Sequence, residues 1–141
     1  MKKGFSLIEL LAVILVLGII VLIAVPKVIN IIDGSREGSF KASVQIIKKE
    51  AERQCNTDKV NQRESTSRYV IKNAKISPEL FVKAKIPEFG EIIVSETCDA
   101  ILNAYSDRIC NITEGDEVIM GRVKDNKCIV NGVEHNLPNV E

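Results

Sequence analysis

From Phe5 to Val25 the chain runs about 21 residues with a single charge, Glu9, and this run limits what the rest can be. A helix rises about 1.5 Å per residue, so such a run crosses a hydrocarbon core of roughly 30 Å. Lys2 and Lys3 stand before it. Basic residues stay on the cytoplasmic side, which predicts an inside start and a remainder outside the cytoplasm.

A secretory signal peptide needs a short apolar core and a small-x-small cleavage site. Here the run ends Ile23-Ala24-Val25-Pro26, without a small residue at the last position, and no cysteine follows closely enough for a lipid anchor. A plain single-pass anchor accounts for length and orientation but not for Glu9. A carboxylate inside a membrane helix costs about 3 kcal/mol on insertion scales and calls for a partner.

Lys2-Lys3, Gly4, Phe5 and the hexapeptide Gly4-Phe5-Ser6-Leu7-Ile8-Glu9 together resemble the N-terminal signal of type IV prepilins, the precursors of pilins and pseudopilins. The resemblance covers roughly residues 1–55. It implies cleavage between Gly4 and Phe5 by a membrane prepilin peptidase and methylation of the new amine on Phe5. It also implies polymerisation, with Glu9 of one copy neutralising the amine of its neighbour, and it makes Gly18 and Pro26 helix-weakening positions. The charge pairing has a physical reason: two buried charges that are costly alone are tolerable as a pair, and a slipped register leaves both bare.

Beyond Pro26 the helix is predicted to continue. Phe40, Val44, Ile47, Ala51 and Cys55 recur at helical spacing, while Lys41, Lys48, Lys49, Glu50 and Glu52 take the other face. The stripe predicts packing against a head domain, with Cys55 turned inward. Pro26 is expected to bend the helix, and Gly34 and Gly38 to lower its propensity.

In the head, Asn56 to Ser67 reads as a loop and Tyr69-Val70-Ile71 as a short strand or turn. Ser77-Pro78-Glu79 predicts a helix opening, with Leu80, Phe81 and Ala84 on a short helix ending before Pro87. Glu91 to Val94 reads as a strand, and Ser95 as the cap of a second helix through Ile101, Leu102 and Tyr105 with Cys98 on its inner face. The C-terminal part predicts strands over Glu117–Val123, Lys127–Val130 and Val133–Leu137. A turn at Lys124-Asp125-Asn126 and an Asn131-Gly132 hairpin join them into a meander packed on the long helix.

The four cysteines, Cys55, Cys98, Cys110 and Cys128, have neither zinc-ribbon nor thioredoxin spacing. In a small head outside the cytoplasm they predict disulfides. Three pairings are open; placement favours Cys55 with Cys98 and Cys110 with Cys128 without deciding it.

Net charge is zero but unevenly spread. Lys59 to Lys85 holds seven basic and two acidic residues, and Pro87 to Glu141 four basic and eleven acidic. The two signs suit either solvated faces or complementary contacts between neighbouring heads. His135 has no nucleophile placed beside it by any motif, and no phosphate loop or H-E-x-x-H is present, so neither catalysis nor a cofactor nor a metal is expected. Asp125 and Asn126 between two lysines make a poor calcium loop. Sparse aromatics argue against a stacking platform for nucleic acid. Asn111-Ile112-Thr113 matches a glycosylation sequon.

The expectation is therefore an α+β chain, a long N-terminal helix packed on a small antiparallel β-sheet head. Residues 1–4 are a leader, 5–25 the membrane and filament-core helix, 26–55 its amphipathic continuation and 56–141 the head. The resemblance implies a type IV pilus or a secretion or DNA-uptake pseudopilus as destination. Its partners would be copies of itself and other pilins, the peptidase, and an inner-membrane platform with its ATPase. The alternative is a monomeric membrane-anchored binding or sensory protein.

Overall fold

The computed structural model describes residues 4–140; the leader expectations for Met1, Lys2 and Lys3 lie outside them. The chain divides after Arg36 into two compact units. One long helix, α1 (Leu7–Val60), precedes eight strands: β1 (Arg68–Lys72), β2 (Lys75–Ser77), β3 (Phe89–Val94), β4 (Ala100–Ser106), β5 (Ile109–Glu114), β6 (Glu117–Lys124), β7 (Lys127–Val130) and β8 (Val133–Asn136). The architecture is α+β and pilin-like.

In the first unit, every residue from Gly4 to Arg36 is exposed, including the whole apolar run. Helix continues through Pro26, Gly34 and Gly38 without a break. Proline removes one backbone donor, and the long helical runs on both sides absorb that single loss.

In the second unit, the predicted stripe is the buried face: Val44, Ile47, Ala51 and Cys55 join the main core, and Phe40 packs against it. The facing sheet contributes Tyr69 and Ile71 of β1, Ile92 and Val94 of β3, Ala100, Leu102 and Ala104 of β4, and Val118 of β6. Lys48, expected on the charged face away from the head, is instead buried at the edge of the stripe: its ammonium donates to the Asp116 carboxylate at 3.3 Å and lies 3.5 Å from Glu52, which lets the charge be covered. Glu52 in turn accepts the Ala100 N–H at 3.2 Å, so one charged chain ties helix to sheet at two places. On the outer side of α1, Arg53 hydrogen-bonds Glu50 and holds its carboxyl below the ordinary range.

The helix overruns the expected loop by several residues and stops at Val60. Gln62 turns to φ 54°, the Gln62 N–H reaches Lys59 O and the Arg63 N–H reaches Asp58 O. That is a Schellman stop, with glutamine in the left-handed place that glycine usually takes.

The sheet is antiparallel throughout, in the order β2-β1-β3-β4-β5-β6-β7-β8. The C-terminal strands and both their turns stand where the sequence puts them. Asp125, Asn126, Asn131 and Gly132 all take positive φ, as tight hairpins require. Of the meander, however, only β6 reaches the core that the helix packs on, through Val118 and Met120. Ile119 and Val123 of β6 and Cys128 and Val130 of β7 belong to a second core with Cys110, Ile112 and Tyr105, apart from the cluster that includes the helix.

Two predicted helices are absent. From Leu80 to Ile86 the inward positions are Leu80, Val82, Ala84 and Ile86, alternating with exposed Phe81, Lys83 and Lys85. That period is two rather than 3.6, and the segment is irregular, bending at Lys83-Ala84; between Pro78 and Pro87 it is too short for a helix to propagate. From Ala100 the same alternation buries Ala100, Leu102 and Ala104 and makes β4. Ser95 does cap, but it caps a turn: its hydroxyl accepts the Asp99 N–H at 3.0 Å and its carbonyl the Cys98 N–H at 3.0 Å. Cys98 sits in that turn at φ 68°, not on a helix face.

Candidate functional site

The chain enters α1 through a reciprocal cap. Ser6 precedes the first helical residue and Glu9 is the third residue of the first turn. The Ser6 N–H donates to the Glu9 carboxylate at 2.8 Å, and the Glu9 N–H lies 3.4 Å from the Ser6 hydroxyl and 3.1 Å from the Ser6 carbonyl oxygen. This is a capping box, which satisfies donors that a helix start leaves bare. The negative charge also faces the positive end of the helix dipole.

Just outside the cap lie Gly4 and Phe5, both exposed and non-helical. A Cβ at Gly4 would meet nothing within 4 Å among the described residues. Behind the cap, Leu10 to Val25 carries no charge, and α1 is long and apolar enough to cross a membrane. Gly18 lies within that run, with open space around it.

Residues 1–25 match the family model described as the prokaryotic N-terminal methylation motif. The chain carries the signature of a type IV prepilin or pseudopilin. No significant match is found among curated proteins or among solved structures. The matched span contains the residues just described, Gly4, Phe5, Ser6 and Glu9. The motif implies processing by a prepilin peptidase, pilin polymerisation and membrane anchoring through the apolar helix.

The remaining singled-out residues fall in the second unit. Cys55 is bridged to Cys98, joining the end of α1 to the β3–β4 turn, and Cys110 is bridged to Cys128, joining β5 to β7. Asn111 is only 2% exposed. Its amide donates to Leu102 O at 2.6 Å and accepts the Ala104 N–H at 3.1 Å, so this sequon is closed to modification in the folded head. Asp125 and Asn126 form the β6–β7 turn, and among the described residues no three metal-binding side chains gather.

Ser6 belongs to the site as well, through its cap on Glu9. Its signal was in the sequence, as Ser-x-x-Glu directly before an apolar helical run.

Proposed function

We propose that the chain is a structural subunit of a type IV pilus or of a secretion or DNA-uptake pseudopilus, trimmed between Gly4 and Phe5 and polymerised through α1. The methylation motif carries this reading. Cleavage frees an amine on Phe5, which is then methylated. In a packed array of α1 helices, Glu9 of one copy pairs with that amine on the next and sets the axial register. Gly18 and Pro26 are the positions where the helix yields as the subunit leaves the bilayer.

The head stands outside the cytoplasm before assembly and on the filament afterwards. The apolar run passes from lipid into a shared helical core, so its burial is continuous. Work for this transfer comes from an ATPase acting through an inner-membrane platform; the subunit itself catalyses nothing.

One observation supports a second reading, a monomeric membrane-anchored binding or sensory protein. The capping box gives Glu9 a partner within its own chain. The mass of the N-terminal peptide, from cells that hold a prepilin peptidase, separates the two. A peptide starting at Phe5 and heavier by one methyl group supports the filament subunit. An intact Met1 start in mature membrane protein rejects it.

A further inference from the structure

Two hairpin turns of the head each oppose like charges. In β1–β2, Lys72 pairs directly with Lys75 across the Asn73-Ala74 turn. In β5–β6, Glu114 pairs directly with Glu117 across Gly115-Asp116. Like charges directly opposite destabilise a ladder. All four side chains are exposed, and among the described residues none of them makes an ion pair. Asp116 adds a third carboxylate to the acidic turn; it touches Lys48, yet its side chain stays 98% exposed.

The β6–β7 turn is the internal comparison. Lys124 opposes Lys127 there too, but Asp125 lies in the turn and Lys127 is bridged to Glu134. That repulsion is answered locally; in the acidic turn Lys48 reaches Asp116 but, among the described residues, neither Glu114 nor Glu117 has an ion pair, and the Lys72/Lys75 turn has none. The basic turn also keeps an awkward backbone, with Ala74 at φ 57°, a conformation costing a side-chain-bearing residue about 1 kcal/mol.

The register places the two turns at opposite ends of the sheet. Lys72 ends β1 opposite Phe89, Phe89 faces Tyr105, and β5 leaves that end to finish at Glu114. One copy therefore cannot bring its own two turns together. A basic turn meeting the acidic turn of another copy makes a head-to-tail contact, and such contacts repeat into an open fibre when they do not close.

We infer that the Lys72/Lys75 turn of one head docks on the Glu114/Asp116/Glu117 turn of a second copy. The inference deepens the filament-subunit reading and rests on it. Charge complementarity fixes the direction of stacking, since a basic turn facing a basic turn is penalised.

The test uses full-length protein in cells that assemble it. K72E/K75E leaves a head with two acidic turns, and E114K/E117K one with two basic turns. Each variant alone should lower sheared filament by about tenfold, the effect of roughly 1.4 kcal/mol. Coexpression of the two should restore filament to within about twofold, because each supplies the other's missing sign. Restoration also shows that both heads fold, and intact disulfides by non-reducing mass give a second check.

In parallel, carbodiimide treatment of membranes and filaments should couple Lys72 or Lys75 to Glu114, Asp116 or Glu117 of a differently isotope-labelled copy. Wild-type filament yield from either variant, no rescue on mixing, coupling to a different protein, or coupling that stops at a closed dimer would each overturn the inference. If filaments then still form from chains starting at methylated Phe5, the filament-subunit reading survives. If unaltered protein keeps Met1, that reading fails, and the carbodiimide coupling in membranes still decides the contact.

Discussion

Gly121 faces Val130 so closely that a Cβ on the glycine would stand 2.6 Å from the valine Cγ2. The same Cβ would lie 2.6 Å from Ile129 O and 3.1 Å from the Cys128 sulfur. The reason is the path of the sheet. β5 and β7 flank β6, yet Cys110 and Cys128 bring them to a Cα separation of 5.8 Å. Two strands on either side of a third ordinarily stand about 9–10 Å apart. The sheet is folded over at Gly121, and only a residue without a side chain fits in the crease.

Gly121→Ala is therefore expected to destabilise the head by about 1–3 kcal/mol, the range for overpacking a filled core. Gly18→Ala, with open space around it, carries no overpacking cost and only gains helix propensity, about 1 kcal/mol. Denaturant unfolding of the detergent-solubilised chain measures both. A midpoint for Gly121→Ala equal to that of the unaltered protein would show that the crease opens freely.

The disulfides should contribute unequally. Cys110 and Cys128 are 18 residues apart, Cys55 and Cys98 43 apart. On loop-closure entropy alone the shorter bridge is worth about 3 kcal/mol and the longer about 4 kcal/mol. Double serine replacement at Cys55 and Cys98 should lower stability more than at Cys110 and Cys128. Unfolding midpoints without reductant test the order, and a reversed order would show that native-state packing outweighs chain entropy.

The parts of this fold that were legible in the sequence are those with one dry face and one wet one. The stripe from Phe40 to Cys55 was readable as a buried helix face because its opposite side is charged. The Asn131-Gly132 turn was readable because few other pairs take positive φ twice. β4 looks helical in the sequence because Ile101, Leu102 and Tyr105 also fit helical spacing when Ala100 and Ala104 are not counted as core. β5 gave no signal at all. From Cys110 to Thr113 it is buried on both faces, so alternation vanishes, and two of those residues are the polar Asn111 and Thr113. At the candidate site the apolar run, Gly4, Phe5 and Glu9 were plain. The cap is written only as Ser-x-x-Glu, and a carboxylate at the start of an apolar run points equally to an external partner.

Those polar residues of β5 do structural work that gives a third prediction. The backbone ladder between β4 and β5 covers Ala104–Asn111 to Ser106–Ile109. Beyond it, side chains replace backbone. Asn111 holds Leu102 O and the Ala104 N–H, Thr113 Oγ1 donates to Leu102 O at 2.6 Å, and Asn103 accepts the Thr113 N–H at 2.9 Å. Asn111→Leu strips the Ala104 N–H of its buried acceptor and should cost about 1–3 kcal/mol. Amide exchange at Ala104, followed by NMR or mass spectrometry, should rise in the variant. Unchanged protection there would mean that another acceptor takes over.

A fourth prediction concerns acid. Arg53 hydrogen-bonds Glu50 and lowers its pKa from 4.5, so the folded state holds this proton more weakly than the unfolded state does. The sign follows: the pair adds stability above the unfolded value, and the gain is lost as pH falls through the lower folded value. Arg53 is exposed and Glu50 half-buried, so the effect is small and partly screened by salt. Glu50→Gln should flatten the fall of stability below about pH 4.5 in low salt and leave neutral stability nearly unchanged. An identical acid slope in both proteins would assign acid sensitivity to other carboxylates.

The last prediction separates the two uses of Glu9. As a cap, the side chain needs only an acceptor for the Ser6 N–H, and glutamine supplies one. As the partner of a charged amine on a neighbouring copy, it needs its negative charge, and glutamine lacks it. Glu9→Gln should therefore keep the helix start and membrane insertion while cutting filament yield about as deeply as Glu9→Ala. Ser6→Ala, which removes the capping hydroxyl and keeps the charge, should cost about 1 kcal/mol at the helix start and spare most of the filament. Sheared filament yield, read beside membrane-fraction yield for the three variants, orders the roles. If Glu9→Gln assembles like the unaltered chain and Glu9→Ala does not, the carboxylate serves the cap of its own helix, and axial register must come from contacts elsewhere along α1 or between the heads.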